Sequence, residues 1–196
     1  MKQIAFFDFD GTVTSRDTLL EFIKHQKGNF RFYLGFLLNG PFLVAYKIGI
    51  ISNQSVKERI LSFFFKRTPL EKFKLGCDLF SKDILPSLIR PKALIEIQKL
   101  KALGFEIVIV SASAENWISN WCSDFHVHLI ATRLEISNGI LTGKIDGTNC
   151  HGNEKVRRVR ELYNLNDYDI IYAYGDTKGD KPLLGLATHS FYKPFR

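Results

Sequence analysis

The chain has little cysteine. Three residues, Cys77, Cys122 and Cys150, are scattered over 196 positions, and no C-x-x-C pair occurs. This pattern gives no support to a zinc ribbon or a disulfide framework, so a reduced, cytoplasmic protein is expected. A secretory leader is not expected either, because the apolar stretch of MKQIAFFDFDG is short and runs straight into aspartates. No internal repeat or low-complexity segment stands out. An uninterrupted spanning run, which needs about 20 mainly apolar residues, is also missing. The greasiest segment, Phe30 to Ile51, is cut by Asn39, Gly40 and Pro41 and carries Arg31 and Lys47. It reads as two buried or interfacial helices meeting at Asn-Gly-Pro.

What is present describes a folded globular chain. Hydrophobic residues make up 45% and charged residues 24%, which excludes a disordered chain, and the length accommodates one domain with a sizeable insertion. Lys and Arg number 27 against 20 Asp and Glu, a formal charge of +7, so an anionic partner is favoured. Nucleic acid is not expected: only net charge speaks for it, and KVRRVRE reads as a solvated helix face.

QIAFFDF reads as a first strand. From about Thr18 to Ile89 the pattern is helical. NQSVKERILSFFFK has Asn53 as candidate N-cap and Val56, Ile60, Leu61 and Phe64 at helical spacing; TPLEKFKLGCDLF sets Leu70, Phe73 and Cys77 on one side. In PKALIEIQKLKALG, Leu94, Ile97 and Leu100 share a face and Gly104 caps the end. FEIVIVSAS is a buried strand. A helix near 114–122 follows, then a strand at VHLIATR along which His126 and His128 alternate as structural residues. LEISNGILTGKI reads as a hairpin, NEKVRRVRELYN as a helix, YDIIYAYGD as a strand, KPLLGLA as a short helix and HSFYK as the last strand. This alternation predicts an α/β fold with a mostly parallel sheet. The helical block after the first strand is too long for one crossover. It reads as an inserted helical cap, residues 17–87, in a core made of 1–16 and 88–196.

Ligands of such sheets bind at the carboxyl ends of strands, and three strands end in polar signals: DFDGT, SAS and YGDTKGD. Asp8 and Asp10 could be a solvated strand end. A calcium loop is excluded, because its sixth and twelfth positions would be Val13 and Leu19 rather than Gly and Glu. Asp176 and Asp180 end another strand on the same edge. Up to four carboxylates there require a cation, and oxygen ligands suit Mg²⁺. Ser111 reads either as a helix N-cap or as a phosphate ligand, with the following backbone N–H groups of Ala112 onward. Lys155, by spacing alone, is an ordinary exposed helix lysine.

Together these residues resemble the haloacid dehalogenase superfamily, whose motifs occur in order: D-x-D-G-T at Asp8–Thr12, the strand-end Ser111, Lys155 opening a helix, and G-D-x-x-x-D at Gly175–Asp180. The order of elements looks most like the phosphoserine-phosphatase-like branch, with its Rossmann-like three-layer core and small helical cap. The resemblance implies a phosphomonoester hydrolase in which Asp8 is the nucleophile and Asp10 the acid and base. It implies Mg²⁺ held by Asp8, the backbone carbonyl of Asp10, and Asp176. Ser111, Ala112, Lys155 and Thr12 would serve the phosphate site, with Asp180 supporting Lys155 or a metal-bound water. Asp10 separates this pattern from the carbon–halogen-cleaving members; a phosphomutase keeps both aspartates and ranks lower, as does a non-catalytic binding module.

A small phosphorylated substrate is expected. Gly11 replaces the serine usual in phosphoserine phosphatases, and Asp17 stands near their expected glutamate, which argues against strict phosphoserine specificity. The alternative is a lipid phosphate on an anionic membrane surface, with the protein peripheral there. The aromatic, basic cap segment suits it. So does a resemblance to bacterial phosphatidylglycerophosphate phosphatases through Cys150, Gly152, Glu154 and Lys155.

Overall fold

In the computed structural model, residues 2–196 are described. Six strands form one sheet: β1 (Gln3–Phe7), β2 (Glu106–Ala114), β3 (His128–Ser137), β4 (Ile140–Asp146), β5 (Ile170–Gly175) and β6 (His189–Tyr192). Their order is β4-β3-β2-β1-β5-β6, and all neighbours are parallel except β3 and β4. The β3–β4 hairpin turns at Asn138-Gly139, both with positive φ, the conformation that Asn-Gly favours. Its first arm continues β3 without a break. His126, with φ 50°, lies in the turn before β3 rather than on the strand.

β1 is central because it can be buried on both sides: Ile4, Ala5, Phe6 and Phe7 have no exposed surface. Alternate residues serve different cores, as the two-residue strand period requires. Ala5, Phe7 and Phe9 join the larger cluster, while Ile4 and Phe6 join the smaller one, built with α8 (Asn153–Leu162) and α9 (Lys181–Leu184).

A run of five helices follows β1: α1 (Thr18–Leu38), α2 (Gly40–Lys47), α3 (Asn53–Phe65), α4 (Leu70–Asp83) and α5 (Leu85–Leu88). Then α6 (Pro91–Ala102) leads into β2, and α7 (Ser119–Asp124) joins β2 to β3. α1 bends at Gly28, whose φ of 75° is non-helical. The side chain of Ser52, not Asn53, caps α3, accepting from the Ser55 N–H. In α6 the buried face is Ala93, Ile97 and Leu100, and Leu94 is half-buried. No described helix is long and apolar enough to cross a membrane. All three cysteines are buried and free.

Two of the contacts that attach the helical block to the sheet layer are extensive. Phe22 of α1 packs among Phe65, Phe73 and Phe80 and stacks on Trp117, which follows β2, at 4.8 Å. A polar seam joins α3 to the hairpin: Ser62 Oγ donates to the Gly143 carbonyl, Ile145 N–H to Glu58, and Asn149 N–H to Gln54. Gly143 is required there. Its φ is +83°, and an added Cβ would lie 2.5 Å from the Ser62 backbone Cα. Gly143→Ala should therefore destabilise the chain by about 1–3 kcal/mol, read as a lowered urea midpoint.

Candidate active site

Asp8 follows the buried end of β1 and keeps the side of Ile4 and Phe6, so it faces α8. Its backbone N–H is tied to the Tyr174 carbonyl of β5 at 2.9 Å. In the first turn of α8, Lys155 is 1% exposed and is not the surface lysine its spacing suggests. Its Nζ donates to Asp8 Oδ1 at 2.6 Å and to Asp180 Oδ1 at 2.7 Å.

The wide turn Phe9–Val13 brings the other carboxylate edge close. Gly11 has φ +81°, and a Cβ on it would meet Asp176 Oδ2 at 2.5 Å, so only glycine permits this approach. The Thr12 hydroxyl lies 3.0 Å from Asp8 Oδ2 and 3.4 Å from Asp176 Oδ1, bridging the two. Asp180 Oδ2 accepts from the N–H groups of Asp176 and Thr177 and from the Thr177 hydroxyl. Asp8, Asp176 and Asp180 thus present carboxylate oxygens within 4.8 Å of one another.

The side chain of Asp10 is not part of that trio. Its Oδ1 accepts the Thr18 N–H at 2.6 Å, at the N-terminus of α1, and its Oδ2 accepts from Ser111 Oγ at 3.3 Å. Ser111 neither ends its strand nor caps a helix. β2 runs on to Ala114 through a bulge: Ser111 pairs with Ala131 and Ala114 with Thr132, so Ala112 and Ser113 are extra residues. Fully buried Ser111 holds Asp10 and accepts the Ser113 N–H. Ala112 and Ser113 line a cavity of about 510 Å³ above Asp8, Asp10 and Lys155.

Several residues here carried no sequence signal. Thr18 joins Ser113 and the Trp117 indole through its hydroxyl. Lys57 of α3 donates to the Ala112 carbonyl and to Asn149 Oδ1. His151 lines the cavity mouth beside Gly179. The Arg196 guanidinium pairs with Asp176 Oδ2.

A family model described as haloacid dehalogenase-like hydrolase matches residues 5–185. The chain belongs to this family. Among its relatives, protein CicA of Caulobacter vibrioides is 34% identical over 195 residues, covering 98% of this chain and 86% of that protein. A histidinol-phosphatase of Neisseria meningitidis is 26% identical over 197 residues, covering 96% and 88%. A solved structure of phosphoserine phosphatase with a phospho-aspartyl intermediate analogue superposes with a TM-score of 0.70 at 18% identity, covering 96% of this chain and 85% of that one. The fold is that of the haloacid dehalogenase-like phosphatases, and the chain is a phosphatase of that family.

The electrostatics of this hydrolase follow from burial. Burial pushes the Asp8 carboxyl up to about 7 against the pull of Lys155, with Asp180 and Asp10 adding to the rise. Asp176 is pushed up first by burial and then by Asp180. Burial also acts on Asp180, but Lys155 and Thr177 outweigh it and hold that carboxyl low. Burial would lower Lys155, yet Asp8 and Asp180 raise it, so it stays charged. Three buried carboxylates around one buried ammonium leave an excess of negative charge, and Arg196 sits on the Asp176 oxygen that faces away from Thr12. An all-oxygen set of this charge fits a hard divalent cation.

Lys155→Met should remove about 3–5 kcal/mol of stability near neutral pH, because it leaves carboxylates buried without their cation. The unfolded chain releases the Asp8 proton near 3.8, whereas the folded chain holds it to about 7. Asp8 therefore favours folding at low pH, and that contribution is lost as pH rises through about 7. Without Lys155 both Asp8 and Asp180 lose the pull that lowers them, so chemical denaturation over a pH series should show the variant's deficit shrinking as pH falls and these carboxylates take up protons.

Proposed function

We propose that this phosphatase is a Mg²⁺-dependent phosphomonoester hydrolase that works through an aspartyl-phosphate on a small phosphorylated substrate. The observation that carries the reading is the buried trio of Asp8, Asp176 and Asp180 around Lys155 on the floor of one cavity. Lys155 and Thr12 each hold one oxygen of Asp8, which fixes the direction of its attack. Asp8 adds to phosphorus as the bond to the alcohol oxygen breaks, and Asp10 gives that oxygen a proton. Asp10 then takes a proton from water attacking the same phosphorus, which frees phosphate and restores Asp8. Lys155, Ser111 and the backbone at Ala112 serve the phosphoryl oxygens. Asp8, Asp176 and the Asp10 carbonyl would hold Mg²⁺, with Asp180 behind them. The ion supplies charge neutralisation at the phosphoryl group.

In this reading residues 17–87 form a cap over the catalytic core of 1–16 and 88–196. The three free thiols suit a reducing cytoplasm.

A second reading, a lipid phosphate at an anionic membrane, is supported by an exposed apolar face. Phe30, Tyr33, Leu34 and Leu37 recur at helical spacing on α1 and are at least 40% exposed, and Ile48 and Ile50 after α2 are at least 65% exposed. The protein should then sediment with phosphatidylglycerol vesicles at low salt and release them as salt screens the attraction. Absence of binding at low salt removes this reading.

Purified protein should release phosphate from an aryl phosphate only with Mg²⁺, and Asp8→Asn should abolish turnover. Undiminished turnover by that variant would rule out Asp8 as the nucleophile. Asp10→Asn should slow formation and breakdown of the intermediate by about 10²–10⁴-fold, measured by rapid-quench trapping of the phosphoprotein. It should weaken Mg²⁺ binding far less, because only the carbonyl of Asp10 is assigned to the ion.

A further inference from the structure

The cavity has two chemically distinct halves. Its floor is the charged cluster. Its roof is built by Leu20 and Phe36 of α1, Leu43 and Tyr46 of α2, and Val56 and Ile60 of α3. Val56 and Ile60 are buried there, and Leu20, Phe36 and Leu43 are half-buried. A volume of about 510 Å³ lies in the range of whole-ligand pockets, well beyond what a phosphoryl group on a two-carbon alcohol fills.

The polar groups of the roof are already engaged. Lys57, the one cation that the helical block sends into the cavity among the described residues, directs its ammonium to the Ala112 carbonyl and Asn149. Asn53 donates to the Tyr46 hydroxyl and accepts from Asn149. Asp17 stands at the rim with one oxygen on the Leu20 N–H, and Asp10 lies below it. A leaving group bearing a carboxylate would meet these two aspartates and no uncommitted cation on the roof. An apolar leaving group would meet aliphatic and aromatic surface.

We infer that the leaving-group half of the cavity takes an apolar alcohol without a carboxylate, so that the substrate is the phosphomonoester of such an alcohol. This rests on the hydrolase reading and narrows its substrate class. The same chemistry could arrive as a soluble ester or as the headgroup end of a lipid.

Two measurements on the intact protein with Mg²⁺ separate this inference from the reading beneath it. The first is calorimetric binding of ethyl-, butyl- and hexylphosphonate, which needs no turnover. Affinity should rise about three- to fourfold per added methylene. The second is kcat/KM for ethyl, butyl and hexyl phosphate beside phosphoserine. It should rise along the alkyl series, with phosphoserine below ethyl phosphate. A flat or falling phosphonate series, or phosphoserine turned over faster than butyl phosphate, overturns the inference. A rising phosphonate series with no ester hydrolysed, whether soluble or vesicle-borne, keeps the subsite and defeats the hydrolase reading instead. Leu43→Asn should lower the hexyl-to-ethyl affinity ratio at least tenfold, and an unchanged ratio counts against the roof. The wild-type series decides the matter should the variant not fold. Turnover of hexyl phosphate in solution identifies a soluble ester as the source; turnover confined to vesicle-borne long-chain phosphate identifies a lipid. Either result supports the apolar subsite.

Discussion

The double ion pair of Lys155 with Asp8 and Asp180 is the contact on which the rest of the site depends. An ammonium this deeply buried is tolerable only because two carboxylates surround it within 2.7 Å, and they are tolerable only because it is there. The pair ties three separate segments together: the end of β1, the first turn of α8 and the turn after β5. Once those are fixed, Gly11 and Thr12 bring Asp176 against Asp8, and the excess negative charge becomes a place for a cation. The charge surplus is thus a consequence of how the chain closes around a single lysine.

Asp10 belongs to a different mechanical unit. Its carboxylate sits at the N-terminus of α1, where helix N–H groups favour negative charge, and it is held from the other side by Ser111. Thr18, which donates the backbone contact to Asp10, also engages Ser113 and the indole of Trp117. Trp117 in turn stacks on Phe22 in the aromatic centre of the helical block. The acid–base candidate is therefore coupled to the helices over the cavity, while the nucleophile candidate is coupled to the sheet. The seam between α3 and the β3–β4 hairpin holds the same helical block to the sheet, and Lys57 of α3 reaches the bulge of β2.

The strands were legible because their apolar runs and alternation are local properties. The Asn-Gly turn of the hairpin and the glycine end of α6 were legible for the same reason. The cap of α3 was misplaced by one residue, since Ser52 and Asn53 are both good capping residues and only the backbone decides between them. Ser111 was misread as a strand terminus because a bulge adds residues without altering composition: β2 runs on through Ala112 and Ser113 to Ala114.

By itself, the sequence determined the class of sheet, the length of the helical block and which strand ends carry carboxylates, because hydrophobic period and motif order are written along the chain. Only the tertiary structure decided that Lys155 is buried rather than exposed. It likewise placed the carboxylate of Asp180, not that of Asp10, in the trio with Asp8 and Asp176, and set Lys57, Thr18 and Arg196 around the site. These outcomes rest on contacts such as Arg196 to Asp176, 20 positions apart, Lys57 to Ala112, 55 apart, and Lys155 to Asp8, 147 apart. Burial, charge pairing and the direction a side chain faces are properties of such contacts, and no local pattern encodes them.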